Sequence, residues 1–145
     1  MPFTFSHPAL VLPLRRLPRR WVSVTGLVVG SVAPDFEKYL KMNDGNAYSH
    51  SLTGMFFFDL PVALGLAFLF HAVVRNPLID HLPPFFRWRL DRYKAFHWPG
   101  QLSRYGAVLA GSVLAGIASH LGWDAFTHRD GAAVAALPFL RTNVS

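Results

Sequence analysis

Residues 105–123 read YGAVLAGSVLAGIASHLGW, nineteen positions without one Asp, Glu, Lys or Arg. At a helical rise of ~1.5 Å per residue this stretch covers a hydrocarbon core of ~30 Å, so a transmembrane helix is expected. Residues 52–74 (LTGMFFFDLPVALGLAFLFHAVV) form a second run, of twenty-three, whose only formal charge is Asp59 and which Arg75, Asn76 and Pro77 close. Pro61 removes a backbone donor and crowds the carbonyl four residues earlier. This helix should therefore kink near Phe57, with Asp59 facing the freed backbone groups. Residues 8–17 and 22–33 are also apolar, but only about 15 and 18 Å long at the same rise. Neither spans alone, and the basic turn at residues 15–20 between them predicts a short helical hairpin over 8–33 that dips into one leaflet.

The composition agrees. The 145 residues are 52% hydrophobic and 15% charged, with 13 Phe, whereas average soluble domains carry about 25% charged residues. That excludes an ordinary cytosolic domain and makes membrane lipid the expected solvent. Fourteen Lys and Arg against eight Asp and Glu leave a net charge of +6. Such an excess suits nucleic acid or an anionic membrane surface; the hydropathy favours the membrane, and no nucleic-acid partner is expected. Without cysteine, any metal centre must draw on the seven His and the carboxylates. A signal peptide carries its charge before the apolar run, and here the arginines follow it. The chain reads as one all-α domain over 1–145: an integral membrane helical bundle with hairpin 8–33, helix 52–74, basic loop 75–104 and helix 105–128. It stops at LPFLRTNVS soon after a span, so further C-terminal helices are expected.

Charge orients the bundle. Residues 75–104 hold Arg75, Arg87, Arg89, Arg92, Lys94 and Arg104 against Asp80 and Asp91, while residues 34–51 hold Lys38 and Lys41 against Asp35, Glu37 and Asp44. The positive-inside rule then puts the basic loop and the 15–20 turn in the cytoplasm of a multi-pass cell-membrane protein.

Alternation of chain direction gathers polar residues at the other, extracytoplasmic end. His7 opens the first short helix, and the return helix brings Pro34 and Asp35 back beside it. Ser49 and His50 precede the descending span, and the ascending span delivers His120, Asp124 and His128 at successive i, i+4 steps on one face. The same row runs back through Gly116 and Ser112. The adjacent row Ala107, Gly111, Ala115 and Ser119 is small throughout, which lets helices approach closely, so the ligand row should point inward. Neutral imidazoles and carboxylates suit a divalent metal, zinc above all, and six ligands could serve one or two ions. Glu37 and Asp59 are the candidate general bases.

Each residue also has a plainer reading. His120, Asp124 and His128 could form a helix-end hydrogen-bond network. Asp35 could start a turn, and Ser49 could cap the next helix. Glu37 could be an exposed loop carboxylate, and Asp59 a structural partner of the Pro61 kink. His71, His81 and His97 fall in or beside the basic loop and carry no expected function, and the Phe56 to Phe58 run is packing.

The segments MPFTFSHPALVLPLRR, GSVAPDFEKYL, SHSLTGMFFFDLP and SHLGWDAFTHRDG resemble the bacterial membrane proteins grouped as domain of unknown function 4184, whose members are usually longer. More distantly, the order His, Pro-Asp, His, His-x3-Asp, His resembles the ligand order of zinc-dependent phospholipase C, of single-strand-specific nucleases and of inner-membrane proteins classed as metal-dependent hydrolases. That resemblance implies His7, Asp35, His50, His120, Asp124 and His128 as ligands. The soluble enzymes complete a three-zinc site with an N-terminal residue and a later His-x3-Glu; neither is evident here, so one or two ions are expected. The expected function is metal-dependent hydrolysis of a phosphoester in a lipid or envelope molecule. The alternative is a non-enzymatic transporter component or scaffold whose His/Asp cluster fixes helix packing.

Overall fold

The computed structural model describes residues 4–42, 48–127 and 132–136, and every regular element among them is helical. A 3-10 turn, Thr4–Ser6, leads into α1 (His7–Val11), which continues as a second 3-10 turn, Leu12–Arg16. Pro8 falls in the first turn of α1, where its missing N–H leaves no bond unmade. Helix α2 (Val24–Val32) starts at Ser23, whose hydroxyl accepts the Gly26 N–H at 3.2 Å. It runs through the 3-10 turn Ala33–Asp35 into α3 (Phe36–Lys41), which Met42 closes in the left-handed region at φ 50°. Two long rods follow. Helix α4 covers Leu52–Asp80, and after α5 (Pro84–Leu90) and a 3-10 turn, Asp91–Tyr93, helix α6 runs Trp98–Thr127. A last helix, α7, spans Ala132–Ala136.

Prolines shape α4. Turns of π type occupy Met55–Asp59 and Phe70–Val74. Each contains the residue four before a proline, Phe57 for Pro61 and Val73 for Pro77. The wider turn shifts the carbonyl that the pyrrolidine ring would strike. The disturbance expected near Phe57 is therefore a π turn, and Asp59 does not cap it: neither carboxylate oxygen makes a hydrogen bond among the described residues.

Helix α2 lies against α6 with the two chains running the same way. Gly26 meets Leu109, Gly30 meets Val113, and Gly116 meets Leu27 and Ser31. A Cβ at Gly30 or Gly116 would overlap the opposing backbone, so these two glycines set the separation. The core between the rods is thin: Ala33, Ala63, Ala67, Leu109, Val113 and Ile117, with Trp98 at one end. The row Ser112, Gly116, His120 faces inward as expected, but Ala107, Gly111 and Ala115 are exposed. The glycines of α2 key into the first row, which leaves the second without a neighbour.

Three expected boundaries move. Helix α4 continues past residue 74 to Asp80 because Arg75 does not end it: its buried guanidinium donates to the carbonyls of Phe96 at 3.0 Å and Lys94 at 3.4 Å. The 75–104 stretch is mostly helical rather than a loop. Helix α6 begins at Trp98 instead of 105, with Pro99 in its first turn and a bend at Tyr105 (φ -127°, ψ 23°).

The most apolar 18-residue stretches of the two rods, within Leu52–Asp80 and Leu102–Thr127, have mean hydropathies of 2.0 and 1.3, and only 17% and 33% of those stretches are buried within the chain. A core helix of a water-soluble protein hides most of its apolar side chains, whereas Phe56, Phe57, Phe68, Leu69 and Val73 of α4 face outward. Both rods are long and apolar enough to cross a membrane.

Candidate metal centre

Five of the six expected ligands meet at one end of the bundle. His7 is the first residue of α1, Asp35 closes the turn after α2, His50 ends the 48–50 turn before α4, and His120 and Asp124 sit one turn apart on α6. His128 lies outside the described residues. His50 Nε2 is 3.1 Å from Asp124 Oδ2, His120 Nε2 3.3 Å from the same oxygen, and His7 Nε2 3.8 Å from Asp124 Oδ1. His120 Nε2 also lies 3.8 Å from Asp35 Oδ1. Two triads share His120: His7, Asp35 and His120 on one side, His50, His120 and Asp124 on the other, each with its ligand atoms within 4.8 Å of one another. The His7 ring stacks on His120 at 3.9 Å, and the His50 ring stands edge-on to it at 5.4 Å.

Local structure holds each group. Ser31 is buried in α2, and its carbonyl accepts the His120 Nδ1–H at 2.8 Å. A neutral His120 in this tautomer turns the lone pair of Nε2 toward two carboxylates, with no donor to it among the described residues. A lone pair facing two anions is repulsive unless a positive charge, a proton or a metal ion, lies between them. Asp35 Oδ2 accepts the Thr4 hydroxyl at 2.6 Å, and Oδ1 accepts Lys38 Nζ at 3.0 Å. Burial alone would raise the Asp35 pKa; these two bonds and the neighbouring charges outweigh it, so the carboxyl sits below its usual value and is ionised. His50 Nδ1 pairs with the Ser49 hydroxyl at 3.1 Å, which leaves Nε2 toward Asp124.

Glu37 is buried, not an exposed loop carboxylate. Its Oε2 accepts the Ser49 N–H at 2.8 Å and its Oε1 accepts Lys41 Nζ. Burial pushes its pKa up, but the Lys41 and Ser49 bonds prevail and hold it at about 2. Ser49 is thus tied to α3, and the cap of α4 is Ser51, whose hydroxyl accepts the Gly54 N–H at 3.0 Å. Either serine fits the capping pattern; the bond from Ser49 to Glu37 joins two segments twelve residues apart, a pairing no local pattern contains.

Asp59 is fully buried, and both of its oxygens lack a hydrogen bond among the described residues, within electrostatic reach of His120 and Glu37. The turn carrying Asp59 packs on the Ala33–Asp35 turn and on α6. The other histidines are elsewhere. His71 accepts from Arg75 at 3.3 Å, so its Nε2–H donates to Thr25 Oγ1 at 3.0 Å, and its ring stacks on Trp98 at 4.1 Å. His81 bonds the Pro77 carbonyl and His97 accepts the Gly100 N–H. These are structural roles at the opposite end. Sequence reasoning passed over Thr4, Lys38 and the Ser31 carbonyl, which bind the ligands rather than being ligands. Only Thr4 left a trace, a hydroxyl three residues before His7.

Mixed imidazole and carboxylate donors suit a zinc-like divalent ion, with Asp124 able to present one oxygen to each triad. The single Nε2 of His120 cannot serve two ions, so a second ion would have to rely on His50, Asp124 and other donors. No curated protein and no solved structure matches the chain. The sequence model of the family described as Domain of unknown function (DUF4184) matches residues 1–145, and the chain belongs to that family.

Proposed function

We propose that this protein is a membrane-embedded, metal-dependent hydrolase of phosphoesters in a lipid or envelope molecule. The observation that carries the reading is His120, whose Nδ1 is fixed on the Ser31 carbonyl while Nε2 faces two carboxylates with no donor to it among the described residues. In this reading His7, Asp35, His120, His50 and Asp124 hold one or two zinc-like ions. Bound there, such ions activate water and neutralise charge on a phosphoryl group. Of the two candidate bases, Asp59 has both oxygens clear of hydrogen bonds and takes the proton, whereas Glu37 places Ser49 and His50. Lys38, beside Asp35 and 15% exposed, supplies a cation to the phosphoryl oxygens. His50 is the most open ligand at 23% exposure, and the exposed Leu52, Phe56 and Phe57 follow it on α4, an apolar approach suited to a lipid substrate. By the positive-inside rule the cluster is extracytoplasmic and the arginine-rich end cytoplasmic.

Elemental analysis of the purified protein tests the proposal, together with hydrolysis of phospholipid and lipid-linked phosphate substrates. A stoichiometric transition metal that His120→Ala or Asp124→Ala removes, together with activity, supports it. The second reading is a scaffold, favoured by the His50–Asp124 bond, which ties the 48–50 turn to α6. A folded wild-type protein without metal would establish the scaffold and overturn the hydrolase.

A further inference from the structure

Helix α5, PFFRWRL at Pro84–Leu90, lies far from the metal centre. Every residue from Pro83 to Arg89 is exposed, with Phe85 at 61%, Phe86 at 53% and Trp88 at 77%. An isolated helix this short is not stable in water, and its main packing is onto its neighbours along the chain, the end of α4 and the 91–93 turn. Three bare aromatics within four residues on such an element need a partner from outside the protein.

The charges say which. Asp80 is taken by Lys94 and by Arg87 at 3.5 Å, and Asp91 by Lys94 at 3.2 Å. Arg89 and Arg92 have no carboxylate among the described residues; they lie over the Phe85 and Tyr93 rings at 4.4 and 4.9 Å. The basic turn lies at the same end of the bundle, because Thr25, just after it, bonds His71 of α4. There Arg15, Arg16, Arg19 and Arg20 precede Trp21, which is 69% exposed. Aromatics interleaved with unpaired arginines at the ends of apolar rods match a head-group layer, where rings enter the acyl boundary and guanidinium groups stay on the phosphates.

We propose that α5, flanked by the 15–21 turn, docks into the membrane leaflet and binds anionic phospholipid head groups. Phe85 and Trp88, three residues apart on one face, enter the acyl boundary, and Arg89 and Arg92, which no described carboxylate holds, engage the phosphates. The inference rests on the rods crossing the membrane and is independent of the metal.

The chain has no cysteine, so Phe86→Cys in the full-length protein takes a single nitroxide label. Its accessibility to dissolved oxygen and to an aqueous nickel chelate is read in vesicles of phosphatidylcholine alone and with phosphatidylglycerol. The expected result is a label shielded from nickel and open to oxygen only with phosphatidylglycerol present. Arg89→Gln and Arg92→Gln should each lower the docked-to-undocked ratio about fivefold. A blue shift of the unlabelled protein's tryptophan emission by phosphatidylglycerol that Trp88→Phe removes gives the same reading if the label disturbs the helix. A label equally wet in both vesicles overturns the proposal, as does equal shielding in both or shielding that tracks protein concentration, which would indicate a second copy. Release of the protein by alkaline carbonate overturns the spanning rods and this inference together. A metal-free protein that still docks overturns only the hydrolase.

Discussion

The two ends of the bundle handle charge in opposite ways. At the His120 end, ionisable groups from α1, α6 and the turns before α3 and α4 are buried against one another, and Asp35, His50 and His120 are held in place by Thr4 and Lys38, by Ser49 and by a main-chain carbonyl. At the Arg75 end, one guanidinium is buried on carbonyls while the remaining arginines lie exposed among aromatics. Burying several charges together is costly unless something of opposite sign compensates them; Lys38 and Lys41 do so for Asp35 and Glu37, and the proposed metal ion would do so between His120 and Asp124. Exposed charge with exposed rings costs little in water and gains at an interface, so the second end implies lipid.

The sharpest way to break this contrast is His120→Ala, which should take metal content from stoichiometric to background by elemental analysis while the arginine end keeps its lipid response. Asp59→Leu comes next. Removing a buried carboxylate without hydrogen bonds should stabilise the protein by about 1–3 kcal/mol in thermal unfolding, yet lower hydrolysis by about 10²- to 10⁴-fold if Asp59 takes the proton. Unchanged turnover in a stabilised Asp59→Leu protein would remove it from the mechanism.

Gly116→Val tests the contact that joins the α2 and α6 halves of the site and should cost about 1–3 kcal/mol or more through overpacking. Gly111→Ala, five residues away with nothing within 4 Å of a new Cβ, should be neutral or slightly stabilising by the same measurement. Arg75→Gln should cost about 1–3 kcal/mol by freeing the Phe96 and Lys94 carbonyls, with metal content unchanged.

A further test is a pH dependence. Glu37 has its carboxyl lowered from 4.5 to about 2, so its contribution to stability is complete above pH 4.5 and fades as pH falls toward 2. Glu37→Gln should flatten that part of the melting curve. A wild-type protein equally stable across this range would show that Ser49 and His50 do not depend on the ionised carboxylate.

Much of the candidate site was readable because its ligands sit where the chain turns. His7, Asp35, His50 and the His120 row fall at ends of apolar runs whose direction alternates, and alternation alone puts those ends together. The supports were not readable. Lys38 and Glu37 look like charges on a short loop helix, yet one binds Asp35 and the other the Ser49 N–H. The Lys38 partner is local, three residues back, whereas the Glu37 partner depends on where the 48–50 turn meets α3. Likewise, either small row of α6 could have faced inward, and the choice of Ser112 and Gly116 over Ala107 and Gly111 came from Gly26 and Gly30 of another helix.

By itself the sequence determined the all-helical class, the two apolar rods, the polarity of charge between their ends and the residue types available for a metal, because hydrophobic length and charge placement act locally along the chain. Only the tertiary structure decided that Arg75 lies within a helix, that Ser51 rather than Ser49 is the cap, and that the His120 Nε2 looks at two carboxylates. Those outcomes depend on which carbonyl, glycine or carboxylate a distant segment brings within 3–4 Å, the range over which hydrogen bonds and close packing act.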